Sequence, residues 1–140
     1  MKIRIFIILL VLAVGCKFKP FEVVEETYPT GKPKTVKYYN NESKETLLSE
    51  INYYEDGAKK MEGSYLNGER SGKWSYWYAD GKLWSQGFYK NGKENGLKTV
   101  WHINGKKYYE GNNTDDKRTG IWKFWDENGE LLKEVDYDHQ

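Results

Sequence analysis

The 140-residue chain has one cysteine, three prolines and two histidines. A single cysteine, at position 16, excludes an internal disulfide, so nothing covalent staples the fold. His102 and His139 do not make a metal site, which needs converging ligands. The chain holds no Gly-x-Ser-x-Gly, no His-Glu-x-x-His and no phosphate-binding loop, so the common hydrolase, metalloprotease and nucleotide signatures are missing. Charge of one sign is missing too. Lys and Arg number 22 against 21 Asp and Glu, a net +1. No basic field exists to attract nucleic acid. No apolar run reaches the roughly 20 residues that span a bilayer.

What is present begins with a short apolar stretch. Lys2 and Arg4 precede and interrupt the run from Ile3 to Val14, and Gly15 and Cys16 follow. This reads as a signal peptide over residues 1–15. The segment Leu12-Ala13-Val14-Gly15-Cys16 resembles the lipobox of bacterial lipoproteins, with Ala13 where that family usually has Leu. The resemblance implies cleavage before Cys16 and lipidation of its thiol, palmitate being one such acyl group. Several acyl chains, each worth about 0.8 kcal/mol per buried CH₂, hold a protein durably on a membrane. Loss of Lys2 and Arg4 leaves 20 basic against 21 acidic residues, close to neutral. Lys17 stands where an Asp marks inner-membrane retention in Gram-negative lipoproteins, so the expected location is the cell envelope, with the outer membrane preferred. Residues 16–26 read as the lipidated Cys and a tether.

The rest of the chain is governed by one period. Gly57, Gly81, Gly105 and Gly129 are spaced by 24 residues, each after an Asx: Asp56, Asp80, Asn104 and Asn128. Two further glycine columns, Gly63, Gly87 and Gly111, and Gly72, Gly96 and Gly120, keep the same spacing, as does the aromatic column Tyr53, Trp77, Trp101 and Trp125. Such self-similarity is the signature of a repeat architecture. Copies start near residues 53, 77, 101 and 125. A degraded first copy occupies 28–52, its Gly31 lying 26 residues before Gly57, which puts a two-residue insertion in 40–48. Asx-Gly pairs between aromatic runs signal β-hairpins. The expected fold is all-β: an elongated antiparallel sheet of tandem hairpins over residues 27–140, with about ten strands and no large core.

Taking Asp80-Gly81 as a two-residue turn predicts a register in which paired residue numbers sum to 161. Trp77 then faces Trp84, and Trp74 lies over Gly87. The same rule pairs Trp101 with Tyr108, Trp125 with Leu132 and Tyr53 with Lys60. Trp77, Trp84, Trp101, Tyr108 and Trp125 thus form an expected aromatic stripe, a packing device and a candidate binding face.

The pattern Tyr-Tyr-x-Asp-Gly-x-x-x-x-x-Gly-x-Tyr-x-Asn-Gly-x-x-x-Gly, from Tyr53 to Gly72, resembles the MORN-repeat variant of YwqK-type antitoxin components. It recurs from Trp77 to Gly96 and, degraded, from Trp101 to Gly120, where Asn112-Asn113-Thr114-Asp115-Asp116 replaces the usual aromatic and Asn-Gly. The resemblance implies a hairpin array used for protein or membrane contact. Aromatic-glycine hairpins also resemble cell-wall-binding repeats, whose periods are shorter.

One column of carboxylates, Glu62, Glu110 and Glu134 with Gln86, is explained by the period itself. Equivalent residues lie two strands apart, near 9.6 Å, and no pocket is implied. The sequence therefore points to a non-enzymatic lipoprotein that needs no cofactor and serves as a protein-binding scaffold. The alternatives are a cell-wall glycan-binding lipoprotein and an antitoxin- or immunity-type protein.

Overall fold

The computed structural model describes residues 19–139. The signal segment 1–15, the lipidation site Cys16 and Lys17 lie outside the described residues. The described chain is all β. Eleven strands follow in order: β1 (Phe21–Thr27), β2 (Pro33–Tyr39), β3 (Leu47–Tyr53), β4 (Lys59–Leu66), β5 (Glu69–Trp77), β6 (Leu83–Lys90), β7 (Lys93–Glu94), β8 (Gly96–Trp101), β9 (Lys107–Thr114), β10 (Lys117–Trp125) and β11 (Leu131–Asp136). They form one open sheet in which sequence neighbours pair antiparallel. The short β7 pairs with β6 beside β8 and is the first part of that same strand, interrupted at Asn95.

The array starts earlier than its glycines indicate. Residues 21–26, read from sequence as tether, form β1 together with Thr27, the first arm of the degraded copy. Val23 and Val24 face Lys37 and Val36 across the hairpin. This arm carries none of the repeat's glycines or tryptophans, so the period does not reveal it. The 26-residue spacing is accommodated in the longer β2–β3 connection, where Asn40 N–H donates to Thr46 O and Asn40 Oδ1 accepts from Thr46 N–H.

Two kinds of turn alternate. At Asp80-Gly81 the loop has three residues, not two. Gly81 N–H donates to Tyr78 O at 3.0 Å, and Tyr78 N–H donates to Lys82 O at 2.9 Å. Gly81 is left-handed (φ 82°) and Asp80 is not. This is a type I turn closed by a glycine bulge. Asp80 Oδ1 accepts the Lys82 N–H, as Asp56 and Asn104 accept those of Ala58 and Lys106, which explains the Asx preference. The two-residue turns lie at the opposite ends of the hairpins. Asn67-Gly68, Asn91-Gly92 and Asp115-Asp116 have both residues at positive φ. The irregular third copy therefore keeps the turn while replacing Asn-Gly by Asp-Asp.

These turns correct the register at one place per hairpin. Ser75↔Gln86 and Trp74↔Gly87 pair as expected, with a sum of 161. Nearer the loop, Trp77 faces Leu83, not Trp84. The three-residue loop shifts the pairing by one, and a bulge at Trp84 shifts it back. Trp101 likewise faces Lys107 instead of Tyr108, Trp125 faces Leu131 instead of Leu132, and Tyr53 faces Lys59 instead of Lys60.

A second displacement recurs between hairpins. Ser64↔Ser71 and Glu62↔Ser75 differ by two residues in register, and Gly72 sits in the gap at φ 68°. Gly120 does the same at φ 63°. The extra residues swing the following tryptophan back over the preceding strand. The apolar core is correspondingly small: Val36, Met61, Trp74, Val100 and Trp122.

Candidate binding faces

Successive strand residues point to opposite sides of the sheet, so the bulges decide which aromatics share a face. Trp84 packs on Tyr76 and Tyr78, ring centroids 6.1 Å from each. Tyr108 packs on His102 at 4.7 Å and on Tyr109 at 5.2 Å. Trp84 and Tyr108 therefore lie on the side of Tyr76 and Tyr109. Trp77, Trp101 and Trp125 follow Tyr76, Val100 and Phe124, which lie on that same side, and so point the other way. The single stripe expected from the sequence is two groups on two faces.

On the first face, glycines serve as a floor for large side chains. A Cβ built on Gly63 would lie 2.1 Å from Trp74 Cδ2, and one on Gly111 would lie 2.2 Å from Trp122 Cδ2. Trp74 thus covers Gly63 on the preceding strand, although its backbone partner is Gly87. The two-residue displacement at Gly72 causes this. Trp74 is 0% and Trp122 2% exposed, and burying 150–250 Å² of each contributes roughly 4–6 kcal/mol. Trp74 Nε1–H donates to Ser64 O at 3.2 Å, and Trp122 Nε1–H donates to Asn112 O at 3.0 Å. Arg70 stacks on Trp74 at 4.2 Å and Arg118 on Trp122 at 4.4 Å.

The middle copy breaks this scheme. At the tryptophan position stands Lys98, whose Cδ lies over Gly87, and at the arginine position stands Glu94. Lys98 Nζ donates to Glu94 Oε1 at 2.6 Å, with the two side chains 16% and 25% exposed. Asn113 Nδ2–H donates to the other Glu94 oxygen at 2.8 Å, and the Tyr89 hydroxyl donates to Oε1 at 3.0 Å. Burial and the Glu94 carboxylate push the Tyr89 hydroxyl up to about 12. The Asn95 N–H donates to the Phe88 carbonyl at 2.7 Å, so the pairing continues through the residue that separates β7 from β8.

The second face has a polar centre. Glu110 binds Lys107 at 2.8 Å and the Thr99 hydroxyl at 2.9 Å, Glu134 binds Lys123 at 2.9 Å, and Gln86 donates to Ser75 Oγ at 3.4 Å. Glu62 pairs with Lys59 at 2.7 Å, so the carboxylate column is occupied by such contacts. Apolar rows flank it. Half-buried Trp77, Trp101 and Trp125 lie on the loop side. Phe88, Leu97 and Ile121, 41%, 42% and 54% exposed, lie on the other.

Copies are also tied by their side chains. The hydroxyls of Tyr28, Tyr54 and Tyr78 donate to Tyr53 O, Trp77 O and Trp101 O at 2.9, 2.7 and 2.8 Å. His102 Nε2 continues the ladder to Trp125 O at 3.1 Å. His102 shares a 24-residue column with Tyr54 and Tyr78, and that spacing is the sequence signal of this bracing role. Among the described residues, no three His, Cys, Asp or Glu side chains converge on a metal site.

Two stretches, residues 70–91 and 118–139, match the MORN repeat variant. They lie two periods apart and leave between them the copy that carries Glu94 and Lys98. A comparison with curated proteins found no match. Among solved structures, the chain is similar to part of the glycosylation-associate protein (Gap123) complex of Streptococcus agalactiae. Identity is 16% and TM-score 0.47, over 81% of this chain and 23% of that one. It is also similar to part of a mutant TarM of S. aureus in complex with fondaparinux, alpha-GlcNAc-glycerol and UDP, at 13% identity and TM-score 0.35, over 84% of this chain and 20% of that one. The chain spans less than a quarter of each of these structures.

Proposed function

We propose that this protein is a lipoprotein held in the bacterial envelope, at the outer membrane, through Cys16, and that its MORN-variant sheet is a non-catalytic scaffold for a partner protein. The observation that carries the reading is the uncovered second face. Phe88, Leu97 and Ile121 stand exposed there, with half-buried Trp77, Trp101 and Trp125 across the polar row, and exposed apolar surface marks interaction sites. A single-layer sheet supplies such a surface without a pocket, which suits a broad protein contact. The polar row between the apolar rows gives orientation through charged pairs.

The test is cross-linking in envelopes followed by purification, comparing the wild type with Leu97→Asp/Ile121→Asp. Both substituted side chains are more than two-fifths exposed, so the sheet remains folded. A specific cross-linked protein that the double variant loses supports the scaffold. Equal recovery by both defeats it. The anchor has its own test: Cys16→Ser releases the protein from membranes, and persistent attachment removes the lipoprotein reading.

A further inference from the structure

The middle copy gives up a buried tryptophan that its neighbours keep, and the opening this leaves has a defined shape. On the first face, Tyr76 of β5 and Tyr109 of β9 stand as walls. Between them lie Ser85 of β6 and Val100 of β8, 5% and 6% exposed, as a floor. Lys98 stands at one end and Trp84 at the other, and beyond Trp84 an adjoining concavity is lined by Tyr108 and Glu127. Trp84 is 46% and Tyr108 45% exposed. Walls and floor are four successive strands, so the wall backbones stand roughly 14 Å apart. That accommodates one flat ring laid between aromatic side chains.

The chemistry of the lining selects the occupant. Floor and wall main-chain groups pair within the sheet, Ser85 with Val100 and Val100 with Tyr109. An extended peptide therefore finds no strand to join, which removes the main-chain route to peptide recognition. Lys98 at one end is matched by Glu94 at 2.6 Å, and the charge left in the lining is the single Glu127 carboxylate beyond Trp84, which disfavours an anion. What remains is an exposed indole and phenol for stacking, with neutral and compensated hydrogen-bonding groups at the rim. Among the described residues no intrachain hydrogen bond uses the Tyr109 hydroxyl, and burial raises its pKa, keeping it a neutral donor. An apolar flat face combined with a polar edge is the complement of a pyranose ring, whose C–H faces are apolar and whose hydroxyls lie equatorially. Departures from the local rule, here Trp to Lys and Arg to Glu within one copy, mark functional positions.

We propose that the groove over the middle copy is a saccharide-binding site, taking one ring of an uncharged oligosaccharide against Trp84 and Tyr108, with the Lys98 ammonium and Tyr109 hydroxyl bonding its hydroxyls. The site is on the face opposite the protein-contact surface and stands or falls separately from it.

The experiment titrates the protein with three neutral tetrasaccharides, those of β-1,4-N-acetylglucosamine, β-1,4-glucose and α-1,4-glucose, with a sulfated tetrasaccharide as charged control. Tryptophan fluorescence and calorimetry read the binding of wild type, Trp84→Ala, Tyr108→Ala and Leu97→Asp. Substitutions at exposed Trp84 and Tyr108 leave the buried core intact, which near-ultraviolet circular dichroism checks. At least one neutral probe binds, Trp84→Ala weakens it about tenfold or more, Tyr108→Ala weakens it less, and Leu97→Asp leaves it unchanged. The proposal is overturned if no neutral probe binds at about 10 mM, if only the sulfated sugar binds, or if folded Trp84→Ala binds as the wild type does.

Discussion

Adding a single methyl group at Gly63 tests the packing argument most directly. In Gly63→Ala the new carbon would lie 2.1 Å from Trp74 Cδ2 and 2.2 Å from Cε2, so the indole must move by more than 1 Å. It has little room, being 0% exposed and held edge-on by Tyr65 and Tyr89 at 5.3 and 5.8 Å, with Arg70 on its face at 4.2 Å. Overpacking costs about 1–3 kcal/mol where the core yields. Complete loss of a buried tryptophan costs about 3–5 kcal/mol. The expected destabilisation is therefore about 3 kcal/mol. Gly87→Ala is the control at the equivalent position. There the methyl meets Lys98 Cδ at 3.1 Å, a contact that a flexible alkyl chain relieves. The lost chain entropy of the unfolded state returns about 0.4–1 kcal/mol, leaving Gly87→Ala near neutral. Urea unfolding followed by tryptophan fluorescence then separates the variants by roughly 1–3 M in midpoint for an m-value of about 1–3 kcal/mol/M. A double-mutant cycle sharpens the test. In a Trp74→Ala background the Gly63→Ala substitution costs almost nothing, because the clashing ring is gone. Equal costs at Gly63 and Gly87, or additivity with Trp74→Ala, would refute the reasoning.

Three further outcomes are expected. Tyr78→Phe removes the 2.8 Å bond to Trp101 O and lowers stability by about 0.5–1.5 kcal/mol, measured by chemical unfolding; His102→Tyr retains it. Asn52 Oδ1 is a buried side-chain atom without a partner, and its 24-residue equivalents are Tyr76, Val100 and Phe124. Asn52→Val accordingly stabilises the sheet by on the order of 1 kcal/mol, seen as a raised urea midpoint; a lowered midpoint defeats the assignment. The Tyr89 hydroxyl, raised to about 12 by burial and Glu94, keeps its proton in the folded sheet after an unfolded tyrosine has lost it near 10. Its stabilisation is full below pH 10 and is lost as pH rises from 10 to 12. Tyr89→Phe therefore flattens the alkaline limb of the stability profile, and an unchanged limb removes Tyr89 as its source.

The repeat, the all-β class and most of the pairing were legible in the sequence because a 24-residue period imposes one local solution many times. Asx-Gly pairs and aromatic runs act within a few residues, and Ser75↔Gln86 and Trp74↔Gly87 follow from the hairpin spacing alone. The ends of the array were less legible. Phe21–Thr27 joins the sheet without any of the repeat's marker residues, since an edge strand needs only a partner on one side.

The tertiary structure decided which face each aromatic occupies. In a sheet one residue of register carries a side chain to the other side. The bulge at Trp84 separates it from Trp77, and the two-residue displacement at Gly72 lays Trp74 on Gly63 instead of Gly87. Both are cooperative results of twist, loop geometry and burial, set between strands and not within one. The sequence by itself determined that there would be a ladder of hairpins and where its turns fall. Only the assembled sheet laid Trp74, Lys98 and Trp122 over Gly63, Gly87 and Gly111 of the preceding strands, and so showed the middle copy to be the polar one.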